Sequence, residues 1–295
     1  MNILLLGKNG QVGWELQRAL APLGNLIALD RHSTEYCGDL ADPEGIAATI
    51  LTIKPDVIVN AAAHTAVDKA ESEPEIAATL NTGAVTAMAE AAEKVGALLV
   101  HYSTDYVFNG QGERPWLETD LTDPLSVYGK TKRDGEKAIV AACSQYLIFR
   151  TSWVYAAKGN NFAKTMLKLA KDREELSVIN DQFGAPTGAE LIADCTAHAI
   201  RKAKEQPELS GIYHLIASGT TTWHEYASYV IKIGRERGLA LQVNKVNPVA
   251  TSAFPTPATR PANSRLDITK FQQSFALTLP DWRVGVERML TEFIG

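Results

Sequence analysis

Residues 2–13 read NILLLGKNGQVG, and this stretch decides the fold. Ile3 to Leu6 run unbroken into Gly7, and glycine recurs at Gly10 and Gly13. A short apolar run without alternation predicts a strand buried on both faces. Gln11 to Leu20 then follows a helical pattern. A strand that turns through glycines into a helix lets the backbone approach a pyrophosphate, which sits on the helix's positive end. A glycine turn between any strand and helix gives a similar string. Its place after the first strand is what makes it a dinucleotide signal, with Gln11 and Val12 inside the turn.

Outward from there, apolar runs alternate with helical patterns. Strands are predicted at Leu26 to Leu29, Asp56 to Asn60, Leu98 to Ser103 and Tyr146 to Arg150. Asp42-Pro43-Glu44 has the form of a helix start. Glu75 to Val95 reads as one alanine-rich helix, and Val127 to Ala142 as another. The fold class is therefore α/β: a Rossmann-type, doubly wound parallel sheet. The second half is less regular. Helices are predicted at 161–171, 189–202, 223–237, 268–275 and 282–293, a strand at 212–215, and a loop at 250–263 around Pro255, Pro257 and Pro261. We expect a dinucleotide-binding domain over residues 1–155. Residues 156–295 would form a smaller mixed α/β substrate-binding region, with the chain crossing back to the first domain.

Net charge of −5 over 295 residues gives no general affinity for nucleic acid or an anionic membrane. No run approaches the length of a membrane span. Cys37, Cys143 and Cys195 have no metal or disulfide spacing, and the N-terminus lacks a signal peptide's form. A cytoplasmic protein with a small-molecule ligand is the expectation.

Asp30 ends the second strand, seventeen residues past Gly13. A carboxylate there would take the ribose hydroxyls of NADH. Arg31 beside it and Lys8 in the glycine turn could instead meet the 2′-phosphate of NADPH, so the cofactor reads as either. The alternative for all three is that they are solvated surface charges. Asp39 and Leu40 could flank the adenine. Ala61, Ala62 and Ala63 end a strand with side chains small enough for a cofactor to lie against backbone. His64, Thr65 and Tyr102 complete the set expected to face it.

Tyr128 and Lys132 stand at i and i+4 and so share one helix face. An ordinary tyrosine, with a pKa of about 10, is poorly matched to proton exchange near neutrality. A cation about 4 Å away would lower it by roughly three units at an effective dielectric of 20. The pair therefore points to a tyrosine that handles a proton beside a lysine that tunes it. Ser103 and Thr104 end the preceding strand, where a hydroxyl could bond the reacting oxygen.

With these marks the chain resembles the short-chain dehydrogenase/reductase superfamily, in its extended branch acting on nucleotide sugars. The resemblance spans nearly the whole length. It is carried by the glycine string, Asn60 to Ala63, Asn81-Thr82-Gly83, Ser103 to Phe108 and Tyr128 to Lys132. Closer marks are Arg150 to Tyr155, Gly159 to Phe162, Asp181 to Thr187 and Arg260 to Leu266. The resemblance implies NAD(P)H-dependent reduction of the C4 ketone of a dTDP-4-keto-6-deoxy sugar, with Thr104, Tyr128 and Lys132 as the catalytic set. It places Thr104, Asp105 and Trp153 on the substrate, makes Asn161, Gln182, Thr187 and Arg260 candidates for the rest of it, and gives Asn81 a supporting part in a proton relay. It also implies a homodimer linked by Mg2+ through Glu15, Glu190 and Glu292, whose spacing is no metal motif. An epimerase or dehydratase on the same scaffold, or a non-catalytic cofactor-binding subunit, are the alternatives. A dehydratase of this branch needs an acid where Tyr106 stands.

Overall fold

The computed structural model describes residues 1–295. Its first half alternates strand and helix: β1 (Asn2–Leu6), α1 (Gln11–Leu20), β2 (Asn25–Leu29), α2 (Pro43–Ile53), β3 (Val57–Asn60), α3 (Val67–Ser72), α4 (Pro74–Ala78), α5 (Ala84–Val95), β4 (Leu98–Thr104), α6 (Val127–Ala142) and β5 (Tyr146–Thr151). There follow β6 (Val154–Tyr155), α7 (Phe162–Asp172), β7 (Glu175–Ile179), β8 (Phe183–Gly184), β9 (Thr187–Gly188), α8 (Ala189–Glu205), β10 (Gly211–His214), β11 (Thr221–Thr222), α9 (Trp223–Glu236), β12 (Lys245–Val249), α10 (Thr269–Phe275) and α11 (Trp282–Ile294).

Six strands form one parallel sheet in the order β10-β5-β4-β3-β1-β2. Alternate residues of its apolar strands feed two cores. Ile3, Leu5, Val57, Val59, Val100 and Phe149 pack with α1, α8 and α10, while Leu4, Leu6, Ile58, Leu99 and Ile148 pack with α2, α5 and α6. Each fully buried aliphatic side chain contributes roughly 1.5–3 kcal/mol, which is why these strands have no polar face. The strand order reverses between β1 and β3. The crevice at the C-terminal ends of these strands is where such sheets bind ligands. β10, α8 and α10 come from the second half of the chain and complete this first body.

The remaining second-half elements close over that crevice. α7, α9 and α11 share one apolar cluster with Tyr226, Trp282 and Leu290. β7 and β12 pair in parallel beside them. The sequence reading missed both strands. Glu175–Ile179 shows period-two burial over only five residues, and Lys245–Val249 contains Pro248, which a two-stranded edge tolerates because no further strand needs its N–H.

The long helix expected over Glu75 to Val95 is interrupted. Pro74 starts α4, and residues Thr79–Gly83 wind as a π turn before α5 resumes. That widening carries the fully buried Asn81 inward. No helix is long and apolar enough to cross a membrane.

Candidate active site

The glycine turn is shaped as a cradle. Gly7 has φ +88°, and a Cβ there would stand 2.7 Å from the backbone nitrogen of Ala62. A Cβ on Gly13 would lie 2.0 Å from the Gly7 carbonyl oxygen. Gly10 caps α1 without a side chain, so the first N–H groups of the helix have no side-chain acceptor of their own. Such a terminus, backed by Ala61 and Ala62, suits a pyrophosphate. Gln11 Oε1 is buried nearby without a partner.

Asp30 stands at the end of β2 with its carboxylate largely spent. It accepts from the His32 backbone, the Ser33 hydroxyl and the Asn9 amide, with Lys8 at 4.0 Å. Against the cost of burial, the His32 N–H, Ser33 and Lys8 hold it below the usual carboxylate range. Arg31 remains exposed, with Nε 3.2 Å from His32 Nε2. Leu40 is buried in the core, and Asp39 accepts from the Ala41 backbone.

Asn81 binds both backbone groups of His64, accepting from its N–H at 2.9 Å and donating to its carbonyl at 3.1 Å. It also donates to the Thr131 hydroxyl of α6. It therefore sets the segment after β3 against the catalytic helix. His64 Nδ1 is buried without a partner, while Thr65 is exposed. Tyr102 divides its groups between two sides of β4. Its phenol bonds Thr196 at 2.7 Å inside the α8 core, and only its carbonyl faces Lys132.

Tyr128 lies in the first turn of α6, which Ser126 caps by accepting from Gly129 N. Its ring packs edge-on against Tyr106, centroids 5.6 Å apart. Burial pushes its phenol up to about 12, opposed by the Thr104 hydroxyl and assisted by Asp105. Of the two strand-end hydroxyls, Thr104 faces the phenol, and Ser103 Oγ is buried without a partner. Asp105 is 2 % exposed, and burial raises its carboxyl to about 6 against the Ser264 and Thr104 hydroxyls.

Lys132 Nζ lies 2.6 Å from the Tyr102 carbonyl and 2.9 Å from His101 Nε2, and Thr104 rather than Lys132 is the group that opposes the rise of the Tyr128 phenol. The 2 % exposed lysine is itself pushed down to about 8 by burial, partly offset by Glu136. The i, i+4 rule puts both side chains on one face but does not aim the longer one.

Tyr106, which packs on Tyr128, also lines a cavity of about 660 Å3. Its lining includes Tyr106, Trp153, Phe162, Gln182, Trp223 and Arg260. Trp153 has φ +49°, a left-handed conformation that an aromatic residue adopts only under constraint. It stacks on Trp223 at 3.7 Å between ring centroids. Trp223 in turn donates to Gln182 Oε1. Sequence reasoning missed Trp223 and Phe162, because a tryptophan at a helix start and a phenylalanine on an amphipathic face both read as core. Four expected substrate residues lie outside the lining: Thr104 and Asp105 at the end of β4, and Thr187 and Asn161. Thr187 is fully buried, donating to Ala185 O and accepting from Ala217 N. Asn161 caps α7 and donates to Ala156 O.

Glu15, Glu190 and Glu292 do approach one another. Burial, with Glu15 and Glu292 nearby, raises Glu190, while Arg288 at 3.3 Å opposes it. Arg18 lies 3.6 Å from Glu15. Within one chain, no group of three acidic, histidine or cysteine side chains is arranged to hold a metal.

The family profile of the RmlD substrate binding domain matches residues 1–294. The chain is 70% identical, over 99% of its length and 98% of the relative's, to a dTDP-4-dehydrorhamnose reductase of Shigella flexneri. It also resembles the crystal structure of a dTDP-4-dehydrorhamnose reductase ortholog from Clostridium acetobutylicum, with a TM-score of 0.88, 34% identity and 99% of each chain covered. The enzyme of that name from Bacillus anthracis, solved in complex with NADP, gives the same TM-score, identity and coverage.

Proposed function

This chain belongs to the RmlD family of dTDP-4-dehydrorhamnose reductases, and from that premise we propose how its residues divide the work. The reaction is NAD(P)H-dependent reduction of the C4 ketone of dTDP-4-dehydro-L-rhamnose to dTDP-L-rhamnose. With its pyrophosphate on the glycine turn, the reduced nicotinamide cofactor would supply the hydride.

Tyr128 is the acid. Reduction of a ketone leaves an alkoxide that needs a proton, and a phenol raised to about 12 is protonated across the neutral range. Thr104, facing that phenol, donates to the carbonyl oxygen and polarises it. Lys132 holds the nicotinamide ribose from the same face of α6. Gly7, Gly10, Gln11, Val12 and Gly13 receive the pyrophosphate. Asp30 and Arg31 meet the adenosine end, the spent carboxylate and the free guanidinium together supporting use of either NADH or NADPH.

Trp153 and Trp223 offer an apolar wall to the nucleotide-sugar, and Arg260 offers its fork to the diphosphate. A homodimer meeting through α1, α8 and α11 fits the same reading, because Trp14, Val284 and Phe293 lie exposed there. The observation that carries the proposal is the placement of Tyr128 against Thr104 at the end of β4, beside the cavity.

The test is a coupled assay with the 4-keto sugar nucleotide and each reduced cofactor. One NAD(P)H should be consumed per sugar reduced. Accumulation of an isomer with the cofactor unconsumed would identify an epimerase instead.

A further inference from the structure

A buried chain of polar atoms runs behind the reaction centre, and its hydrogen-bond directions are over-determined. Asn60 ends β3 and is paired in register with His101 of β4. Both are 1 % exposed. Asn60 Oδ1 accepts from Ala62 N at 3.1 Å, so the amide presents its NH2 to His101 Nδ1, also at 3.1 Å. An imidazole that accepts at Nδ1 and is uncharged carries its proton on Nε2. That proton points at Lys132 Nζ, 2.9 Å away. An ammonium has no lone pair to receive it, whereas an uncharged amine receives it and still donates to the Tyr102 carbonyl.

We propose that His101 is a positioning residue whose tautomer is tied to the charge on Lys132. With Asn60 oriented as here, His101 is the Nε2–H tautomer and Lys132 is an amine. When Lys132 takes a proton from solvent, the imidazole keeps one proton but carries it on Nδ1, and the Asn60 amide turns to accept it. Ala62 N–H then loses its acceptor. The turn of Gly7 lies against Ala62, so a charge change at the reaction centre reaches the backbone beneath the cofactor turn.

The surroundings favour a finely balanced charge. Burial pushes Lys132 down to about 8, and burial with Lys132 beside it holds His101 far below the ordinary imidazole value. Glu136 on α6 is the one carboxylate acting on Lys132, and Arg150 of β5 binds both its oxygens. Other charges on adjoining elements are engaged elsewhere: Asp68 of α3 with Arg260, Glu71 with the Val127 backbone, and Asp105 with Thr104. The Tyr102 phenol faces Thr196.

The inference rests on Lys132 holding the place given to it in the proposed reaction, but its test reads resting protein. Histidine ring nitrogens and the carbon next to Lys132 Nζ are followed by NMR from about pH 6 to about pH 10, a window that spans the ordinary lysine value. The His101 tautomer should invert with the same midpoint as Lys132. In Asn60→Asp, a carboxylate accepts from Ala62 N and from Nδ1–H at once. His101 should then stay Nδ1–H throughout, and the Lys132 midpoint should rise by about one unit or more. A tautomer that holds constant while wild-type Lys132 titrates overturns the proposal, as does an unmoved midpoint in the variant. If Asn60→Asp fails to fold, the wild-type titration decides alone. Loss of turnover with the coupling intact would count against the reaction scheme, not against this coupling.

Discussion

Arg260 reaches across the cleft to Asp68, Nη2 to Oδ2 at 2.7 Å and Nη1 to Oδ1 at 3.2 Å. The pair joins the proline-rich loop to α3, and Asp68 also accepts from the Ala258 backbone at 3.2 Å. Arg260 first, with Ala258, holds the Asp68 carboxyl below its usual range. Both side chains are partly exposed, so the pair adds at most about 1 kcal/mol to stability. In the proposed reaction its use is to pre-set the guanidinium that lines the cavity. In Asp68→Asn, KM for the sugar nucleotide should rise by about tenfold, equivalent to about 1.4 kcal/mol. The kcat and melting temperature should barely move. Steady-state kinetics beside a thermal melt decide it; an unmoved KM refutes the role.

Tyr128→Phe keeps the ring that packs on Tyr106 and removes only the acid. We expect kcat to fall by about 10²–10⁴ while NADPH affinity, read by fluorescence titration, is unchanged. Thr104→Ser should retain much of the rate that Thr104→Ala loses, because the hydroxyl and not the methyl faces the phenol. Equal losses in the two Thr104 variants would assign that residue to packing instead.

The first sheet was legible because its strands are buried on both faces and its helices carry caps such as Asp42 and Ser126, signals that lie within a few residues. The placement of Tyr128 and Lys132 on one helix was legible for the same reason. The direction of Lys132 was not, because it depends on His101 and the Tyr102 carbonyl, thirty-one and thirty residues away. Trp223 becomes a cavity residue only by stacking on Trp153 across seventy positions of sequence. The π turn at Asn81 was hidden by the alanine-rich pattern on either side of it, although Thr79, Asn81, Thr82 and Gly83 are poor helix formers; the tertiary bonds to His64 and Thr131 hold it. Thr187 and Asn161 show the converse. Both spend their side chains on backbone groups, Asn161 as the cap of α7 and Thr187 between Ala185 and Ala217.

Arg150 and Glu136 form a two-pronged pair under the catalytic helix, with side chains 3% and 4% exposed. Arg150 also lies 5.0 Å over the Phe108 ring. Glu136→Gln leaves that guanidinium buried without its counter-charge. The loss should be about 3–5 kcal/mol in denaturant unfolding. Glu136 also supports the charged form of Lys132, so the variant should move the Lys132 midpoint further down. A loss under about 1 kcal/mol would mean that water reaches this pair.

Asp105 sets the pH dependence of stability near the acid end. Its folded carboxyl sits at about 6 against an ordinary 3.8, chiefly because it is buried. Between those values the folded chain binds more protons than the unfolded one, so stability from this group falls as pH rises. Two units correspond to about 3 kcal/mol, present as a penalty above pH 6 and absent below pH 4. Oδ2 is buried without a hydrogen bond, consistent with a charge that the site tolerates at a cost. Asp105→Asn should therefore gain about 2–3 kcal/mol at neutral pH and nearly nothing at pH 4. Turnover should fall at the same time, because Asp105 bonds the Thr104 hydroxyl at 3.1 Å and an amide changes which way that hydroxyl points. Denaturant unfolding of both proteins at the two pH values checks the first part. A gain of equal size at both would mean that the charge is not its source.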